Sequence, residues 1–401
     1  MPKEKMQKRN NMIWVITFSA IIALWLDYLF IQHSTISESK RCKWILLFAI
    51  IDSLFIADAH LFYLLSPDNI SIISNISNWA MFAFMILALA RQPFNVTYLI
   101  SRNKWIRGCG AICSIIAAGI FLHGMAITRT NYVVNNVTIT SDRLPASFDN
   151  YRILQLSDLH IGTMIDPTTE ISEIASICNS LQPDMIAFTG DLVDTRYNEL
   201  QPSIKEALKQ LKAKDGIFSI LGNHDIGVYI RDSIRLTPKE NTHRLIAAEQ
   251  ELGWQVLDNQ TEYIHRETDS IAITGITFSQ TLQEERHSSN LPQINLEDLY
   301  INTPKKCYNI TLSHIPQLWS NITSLHPTDL TLAGHVHAMQ IAIKVGQWRI
   351  SPSMLLYKRW SGLYSEQNKY LYINDGIGYT LYPMRIGARP EITLFELKYK
   401  K

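Results

Sequence analysis

The 401-residue chain is poor in cysteine. Cys42, Cys109, Cys113, Cys178 and Cys307 are odd in number, scattered, and nowhere form a C-x-x-C step. That excludes a disulfide framework and a cysteine-ligated structural zinc. The chain also lacks an excess of either charge. Lys+Arg number 37 against 36 Asp+Glu, a formal net charge of +1, so no global field recruits nucleic acid, and no nucleic-acid-binding motif is present. There is no internal repeat and no low-complexity tract. The first apolar run contains Asp27 and is followed by no small-residue cleavage site, which argues against a cleaved signal peptide.

What is present is unevenly distributed. Residues 1–128 are dominated by long apolar runs, while the remainder alternates like a soluble protein. Four runs, at 12–32, 44–65, 78–99 and 106–127, each approach the roughly 20 residues that cross a bilayer. The third is interrupted by Arg91 and Pro93, and its firm part is 79–90. The expectation is an N-terminal α-helical transmembrane bundle over 1–128, a connecting segment at 129–148 and a catalytic domain over 149–401. Positive residues of short loops set the orientation. Lys40, Arg41 and Lys43 follow the first run; Arg102, Lys104 and Arg107 follow the third, with Arg91 beside it; 66–77 has no Lys or Arg. Seven positive residues inside, against four (Lys3, Lys5, Lys8, Arg9) outside, predict a multi-pass protein of the cell membrane with its catalytic domain on the outer face. Asp27, Asp52, Asp58 and His60 fall within these spans, where charge is costly without a partner.

Beyond residue 150 the pattern is strand, loop, helix, repeated. Strand-like runs at 153–156, 185–188, 217–221, 310–312 and 330–333 are each closely followed by polar residues able to ligate a metal. In order these are Asp158-Leu159-His160, Gly190-Asp191-Leu192-Val193-Asp194, Gly222-Asn223-His224-Asp225, Ser313-His314 and Gly334-His335-Val336-His337. Strands ending in such residues point to one site at the carboxyl edge of a sheet, where open α/β sheets place ligands. Carboxylate and amide oxygens mixed with imidazoles suit borderline first-row cations. Taken singly, a His after a strand is a packing or loop residue, Asp194 and Asp225 read as turn or cap residues, and the three glycines as turn glycines. Further strands are expected at 133–140 (an edge strand), 262–265 and 271–276, and helices at 167–181, 199–212, 242–252 and 316–325. A polar insertion is expected at 280–290, and mostly hairpins over 340–397.

The five segments in this order, D-x-H, GD-x-x-D, GNH-[DE], a lone His and GH-x-H, resemble the calcineurin-like metallophosphoesterase superfamily over roughly residues 150–400. The tail from Gly376-Ile377-Gly378 to Gly387-Ala388-Arg389-Pro390-Glu391-Ile392 is similar to the bacterial membrane-anchored YaeI/YkuE-type subgroup. The resemblance implies a four-layer αββα sandwich; periodicity alone gives only α/β. It implies that Asp158, His160, Asp191 and His337 hold one divalent metal ion and that Asp191, Asn223, His314 and His335 hold a second, with manganese, zinc or iron as the candidates. Asp191 is then a bridging carboxylate, an anion that offsets the repulsion of two cations about 3.5–4 Å apart. A bridging water that loses its proton near neutral pH is the expected nucleophile.

His224 is expected to face the substrate, stabilising the transition state or protonating the leaving oxygen, with Asp194 orienting its imidazole. Asp225 is expected to fix its loop. Arg385 and Arg389 could reach a phosphate, though a structural salt bridge is the plainer role. Trp319, Trp348 and Trp360 could line a pocket or simply pack, and His243, His265, His287 and His326 match no motif. The function expected is a membrane-anchored phosphoesterase that hydrolyses a phosphate mono- or diester or a pyrophosphate bond. Its substrate would be a phosphorylated small molecule or a lipid-linked envelope precursor, and membrane lipids its surroundings. Similar family members include a UDP-diacylglucosamine pyrophosphatase, whose substrate requires the opposite orientation. The intramembrane acids motivate an alternative, a membrane sensor or transport-like protein with a regulatory phosphoesterase-fold domain. The complete ligand set weighs against it.

Overall fold

A computed structural model describes residues 3–34, 37–64, 88–230, 236–278, 299–300, 304, 306–325, 328–380 and 383–401; side chains before residue 17 and through much of 51–64 fall outside that description. The chain divides into two compact units, Met1–Ile127 with Tyr382–Met384, and Thr128–Leu381 with Arg385–Lys401.

The first unit contains the helices α1 (Lys3–His33), α2 (Glu38–Leu64), α3 (Gln92–Ile100) and α4 (Lys104–Ala126). α1 packs against α2 and α3, and α3 against α4. At the last contact Gly110 has no room for a Cβ, which would overlap Thr97 Oγ1. Of the four expected spans, one coincides with a segment long and apolar enough to cross a membrane among the described residues, Lys104–Thr130; Ala20–His33 is apolar but shorter. The third expected span is described only from residue 88, where helix breaks at Arg91 before restarting. Arg91 is not a loop charge. It forms an ion pair with the buried Asp27, donating from Nε to Oδ2 at 2.9 Å, and Asn95 Nδ2 donates to Oδ1 at 2.5 Å. Asp27 therefore has the interhelical partner that a buried charge demands. The side chains of Asp52, Asp58 and His60 lie outside the described residues.

The second unit is an α/β sandwich of two mixed six-stranded sheets. In one, β1 (Val133–Ser141) is outermost, as its alternation predicts, pairing parallel to β14 (Glu391–Tyr399). β14 pairs antiparallel to β2 (Tyr151–Leu156), and β3 (Met185–Phe188), β4 (Ile217–Ser219) and β5 (Gln255–Val256) continue parallel to β2. In the other sheet, β7 (Asp269–Ile276), β8 (Tyr308–Ser313), β9 (Leu330–Ala333) and β13 (Lys369–Ile373) run parallel, flanked by antiparallel β6 (Thr261–Arg266) and β12 (Gly362–Glu366).

Alternation along each strand divides the core. Tyr151, Ile153, Met185 and Ala187 join Ile310, Leu312, Leu330 and Leu332 between the sheets. Leu154, Leu156, Ile186 and Phe188 face the other way, onto Ile171, Ile174 and Cys178 of α5 (Pro167–Ser180), Ile204 and Leu208 of α6 (Pro202–Leu208) and Leu245 of α7 (Pro238–Glu251). Trp319, on α8 (Trp319–Leu325), packs with Leu371 and Ile373 on the second sheet. Each such apolar side chain contributes about 1.5–3 kcal/mol by leaving water.

Several expected boundaries shift for local reasons. The helix expected at 199–212 is only Pro202–Leu208, because Glu199 is engaged by loop amides and Pro202 stands in the first turn. The helix expected from 242 starts at Pro238, capped by Thr237 Oγ1, which accepts from the Glu240 amide. The region 340–397 holds two hairpins, β12–β13 and the two-stranded β10 (Ile343–Val345) with β11 (Trp348–Ile350), but β14 leaves to complete the opposite sheet. The insertion expected at 280–290 lies outside the described residues.

Candidate metal centre

The strand ends converge. β2, β3 and β4 run parallel in one sheet, β7, β8 and β9 in the other, so their carboxyl-end loops share an edge. Asp158, His160, Asp191 and His337 bring one ligand atom each within 4.8 Å of one another, and Asp191, His314 and His335 do the same. Asn223 joins the second group, its Oδ1 lying 3.1 Å from His314 Nε2 and 2.8 Å from His335 Nδ1. All seven residues expected as metal ligands are thus placed together, with Asp191 common to both groups. All but His335 are buried.

The main chain is forced here. Asp158, His160, Asp191, His335 and His337 all have positive φ, between 44° and 72°, a region non-glycine residues rarely adopt. Strain of this kind persists only where surrounding bonds over-determine it. Asp225 supplies much of that determination. Its carboxylate accepts four main-chain N–H bonds, from Gly222 (2.8 Å), Asp191 (2.7 Å), Leu192 (2.9 Å) and Val193 (3.2 Å). It thereby ties the loop after β3 to the loop after β4, the loop-fixing role expected of it. Two glycines are there for space and not for a turn. A Cβ on Gly222 would overlap Asp191 Oδ1, and one on Gly334 would overlap Ser157 Oγ and Asp158 Oδ2.

The donor set fits a cation. His314 Nδ1 donates to the Thr189 carbonyl at 2.7 Å, which fixes the tautomer. Its Nε2 then faces Asp191 Oδ2 at 3.2 Å and Asn223 Oδ1 at 3.1 Å. A neutral imidazole would set a lone pair against two oxygen acceptors; a proton or a metal ion must lie between them. Across Asp191, His160 Nε2 stands 3.2 Å from His337 Nε2, and His337 Nε2 is 3.1 Å from Asp158 Oδ1. The electrostatics agree. Burial opposes charge on His314 and His160, yet Asp191 and, for His160, the Asp194 hydrogen bond outweigh it and lift both to about 9. Burial also opposes ionisation of Asp191, but His314 and His224 hold it well below the usual carboxylate range. Without metal the site retains protons where a cation would compensate Asp158 and Asp191.

His224 lies at the rim, its ring 4.5 Å from that of His160 and 4.3 Å from that of Tyr229. Its Nδ1 donates to the main-chain carbonyl of Asp194 at 2.6 Å, and burial lowers its pKa. The expected orienting role of Asp194 is thus exerted through its carbonyl oxygen. The carboxylate is 3.6 Å from His224 Nδ1 and closer, 3.3 Å, to His160 Nδ1. A buried carboxylate absent from the expected set, Glu199, holds this loop by accepting from the amides of Gly162, Asp194, Thr195 and Arg196. Burial and the nearby Asp194 push it up to about 7. No spacing signals Glu199, because its partners are main-chain groups.

Tyr357, also absent from the expected set, stands edge-on to His335 with ring centroids 6.5 Å apart. Arg385 is fully buried and donates to the carbonyls of Gly378, Asp375 and Ala388, with Nη2 3.5 Å from His337 Nδ1. Arg389 donates to the carbonyls of Asn131 and Tyr132. Both arginines donate to main-chain carbonyls, which at these turns need donors. Trp319 is core, Trp348 is exposed and Trp360 half-buried. His243 and His265 are exposed, and His287 and His326 lie outside the described residues.

Comparison with known proteins agrees with this architecture. Residues 151–339 match the family model of the calcineurin-like phosphoesterases. The chain is 28% identical over 323 residues to the uncharacterized metallophosphoesterase YkuE of Bacillus subtilis strain 168, covering 74% of this chain and 98% of that one. It is 29% identical to a Bos taurus transmembrane protein with metallophosphoesterase domain, covering 71% of this chain but only 61% of that one. It is 27% identical to the UDP-2,3-diacylglucosamine pyrophosphatase LpxG of Chlamydia trachomatis serovar D, covering 66% and 89%.

Replacing Asp225 with Asn tests the clamp. One of its oxygens becomes an amide donor facing two main-chain N–H groups, so the variant should lose about 3 kcal/mol of unfolding free energy. Denaturant unfolding with chelator present isolates this effect from metal loss. A variant indistinguishable from the native protein would show that the two loops are held otherwise.

Proposed function

The chain carries a calcineurin-like metallophosphoesterase domain with YkuE-type and LpxG relatives and is a metal-dependent phosphoester hydrolase, and from that premise we propose a membrane-anchored dinuclear enzyme acting on a phosphate mono- or diester or a pyrophosphate bond of a lipid-linked substrate. The observation that carries the dinuclear reading is the sharing of Asp191 between two groups of largely buried candidate ligands. Asp158, His160, Asp191 and His337 would hold one divalent ion, and Asp191, Asn223, His314 and His335 the other; manganese, zinc and iron all suit this donor set. Bound there, two such ions supply charge neutralisation for phosphoryl oxygens and an acidified water.

The chain's own residues do the remainder. Asn223 contributes an uncharged oxygen, so it adds nothing to repel an incoming phosphate. His314 is held in one tautomer by Thr189 and presents Nε2 inward. His224, with Nδ1 committed to the Asp194 carbonyl, has Nε2 left to carry a proton to the leaving oxygen or to donate to a phosphoryl oxygen. Residues 1–128 form the multi-pass membrane region and 149–401 the catalytic domain, and the segment 129–148 between them contributes β1 to that domain's first sheet. The lipid-linked class is supported by the apolar helix within Lys104–Thr130 and by the activity for which the relative LpxG is named.

Asp191→Asn should abolish turnover and lower metal content while the domain stays folded, because losing the shared anion leaves two cations poorly compensated. Metal analysis beside a phosphodiesterase assay on purified protein checks this; two ions per chain with near-native rates would overturn the ligand assignment. His224→Ala should keep its metal and lose about 10²–10⁴-fold in rate on an alkyl phosphoester, and less on a nitrophenyl ester, whose leaving group needs no proton. Equal losses on both would remove the general-acid role.

The catalytic domain is expected on the outer face. With Arg91 committed to Asp27, six positive loop residues oppose the four at the N-terminus, and the bias keeps its sign. Protease added to spheroplasts should remove the domain beyond Arg129 while cytoplasmic markers survive. Cleavage only after lysis would reverse the orientation and make a cytoplasmic nucleotide-linked lipid precursor the leading substrate class.

A further inference from the structure

The hairpin β10–β11 is amphipathic, and its strand residues are exposed. In its register Ile343 lies opposite Ile350 and Val345 opposite Trp348, while Lys344 lies opposite Arg349. Directly opposed residues share a face, so one face is apolar and the other basic. All six strand residues are exposed, and Trp348 is 69% exposed. The turn that follows adds two more exposed aliphatic side chains, Leu355 at 87% and Leu356 at 69% exposure. An isolated two-stranded ribbon is marginal in water, and a contiguous exposed apolar patch of this kind marks a contact surface.

The surface borders the metal centre. The hairpin leaves directly from the His337–Gln340 turn, and Ser351 Oγ ties its far strand back to the Ala338 carbonyl at 2.7 Å. Tyr357, next to Leu356, is the residue that stands edge-on to His335. Charge identifies the occupant. From residue 338 to 365 there are four basic residues, Lys344, Arg349, Lys358 and Arg359, and no Asp or Glu. Arg349 is paired with Asp375 and Arg359 with Glu366, while Lys344 and Lys358 are exposed. Exposed tryptophan and aliphatic side chains in a stretch that also exposes Lys344 and Lys358 suit the boundary between anionic headgroups and acyl chains.

We propose that hairpin β10–β11 and the turn at 352–356 form a docking element that inserts into an anionic bilayer surface and seats the rim of the metal centre at headgroup level. A phosphate carried by a lipid would then reach His335 and His224 without leaving the membrane. The inference deepens the lipid-linked reading given above and rests on it for its purpose, but its geometry stands on the hairpin alone.

The test uses the full chain in nanodiscs of mixed zwitterionic and anionic lipid. Benzoylphenylalanine replaces Trp348, Leu355 or, as a control, Glu267 in the β6–β7 turn, at the end of β7 opposite the site. Variants with unchanged thermal melts are irradiated and their adducts identified by mass spectrometry. Lipid adducts at 348 and 355 should exceed those at 267 on the order of tenfold, and should fall when the anionic lipid is omitted. Yields no greater than at 267 would overturn the proposal. So would adducts to another polypeptide or to a second copy of the chain, which would make the hairpin a protein interface. The readout requires no turnover, so its failure leaves the phosphoesterase reading standing, and an inactive protein that labels lipid would count against that reading alone.

Discussion

A single buried carboxylate holds the centre together. Asp225 accepts four main-chain N–H bonds from two loops that belong to different strands. Those bonds fix the positions of Asp191 and Asn223, the residues that define the shared and second ligand groups. They also satisfy amides that would otherwise be buried without partners, a cost of about 1–3 kcal/mol each. Burial and the proximity of Asp191 push Asp225 up to about 6, while the amides of Gly222 and Val193 act to lower it. Glu199 repeats the device one loop away, on Gly162 and 194–196, and sets the carbonyl that orients His224. Two carboxylates that do not belong to either ligand group thus determine where those groups sit.

The need for such clamps follows from crowding. The two sheets bring five loops to one edge, and five of the seven expected ligands adopt left-handed backbone conformations. Gly222 and Gly334 allow neighbouring loops to approach until a methyl group would collide with ligand carboxylates. What results is a cluster of lone pairs and negative charge that favours a cation, with His160 and His314 holding protons in its absence. The same crowding leaves the rim to His224, Tyr229 and Tyr357, and beyond Tyr357 to the exposed hairpin.

The central strands of the domain were legible because they are buried on both faces and read as largely apolar runs: Met185–Phe188 and Leu330–Ala333 match to the residue. Helix ends were less legible. The Thr237 cap and the Pro238 start precede the apolar positions that suggested a helix from 242, and Pro202 truncates the one expected from 199. In the N-terminal unit the first, second and fourth apolar runs fall on helices among the described residues, but hydropathy could not show that Arg91 folds inward onto Asp27. A charge between apolar segments looks the same whether it faces a loop or a partner.

The candidate ligand residues were legible in the sequence alone, since Asp158, His160, Asp191, Asn223, His314, His335 and His337 stand at strand ends in the order that the family resemblance requires. The resemblance already implied their grouping into two sets around Asp191; that the side chains come within reach of one another was decided only by the tertiary structure, because it depends on which loops the sheets bring into contact. So were the four amide partners through which Asp225 fixes its loop, and the contacts of Glu199 and the Asp194 carbonyl. These act through main-chain amides and carbonyls, groups that every residue carries and that no side-chain pattern can distinguish until the fold has placed them.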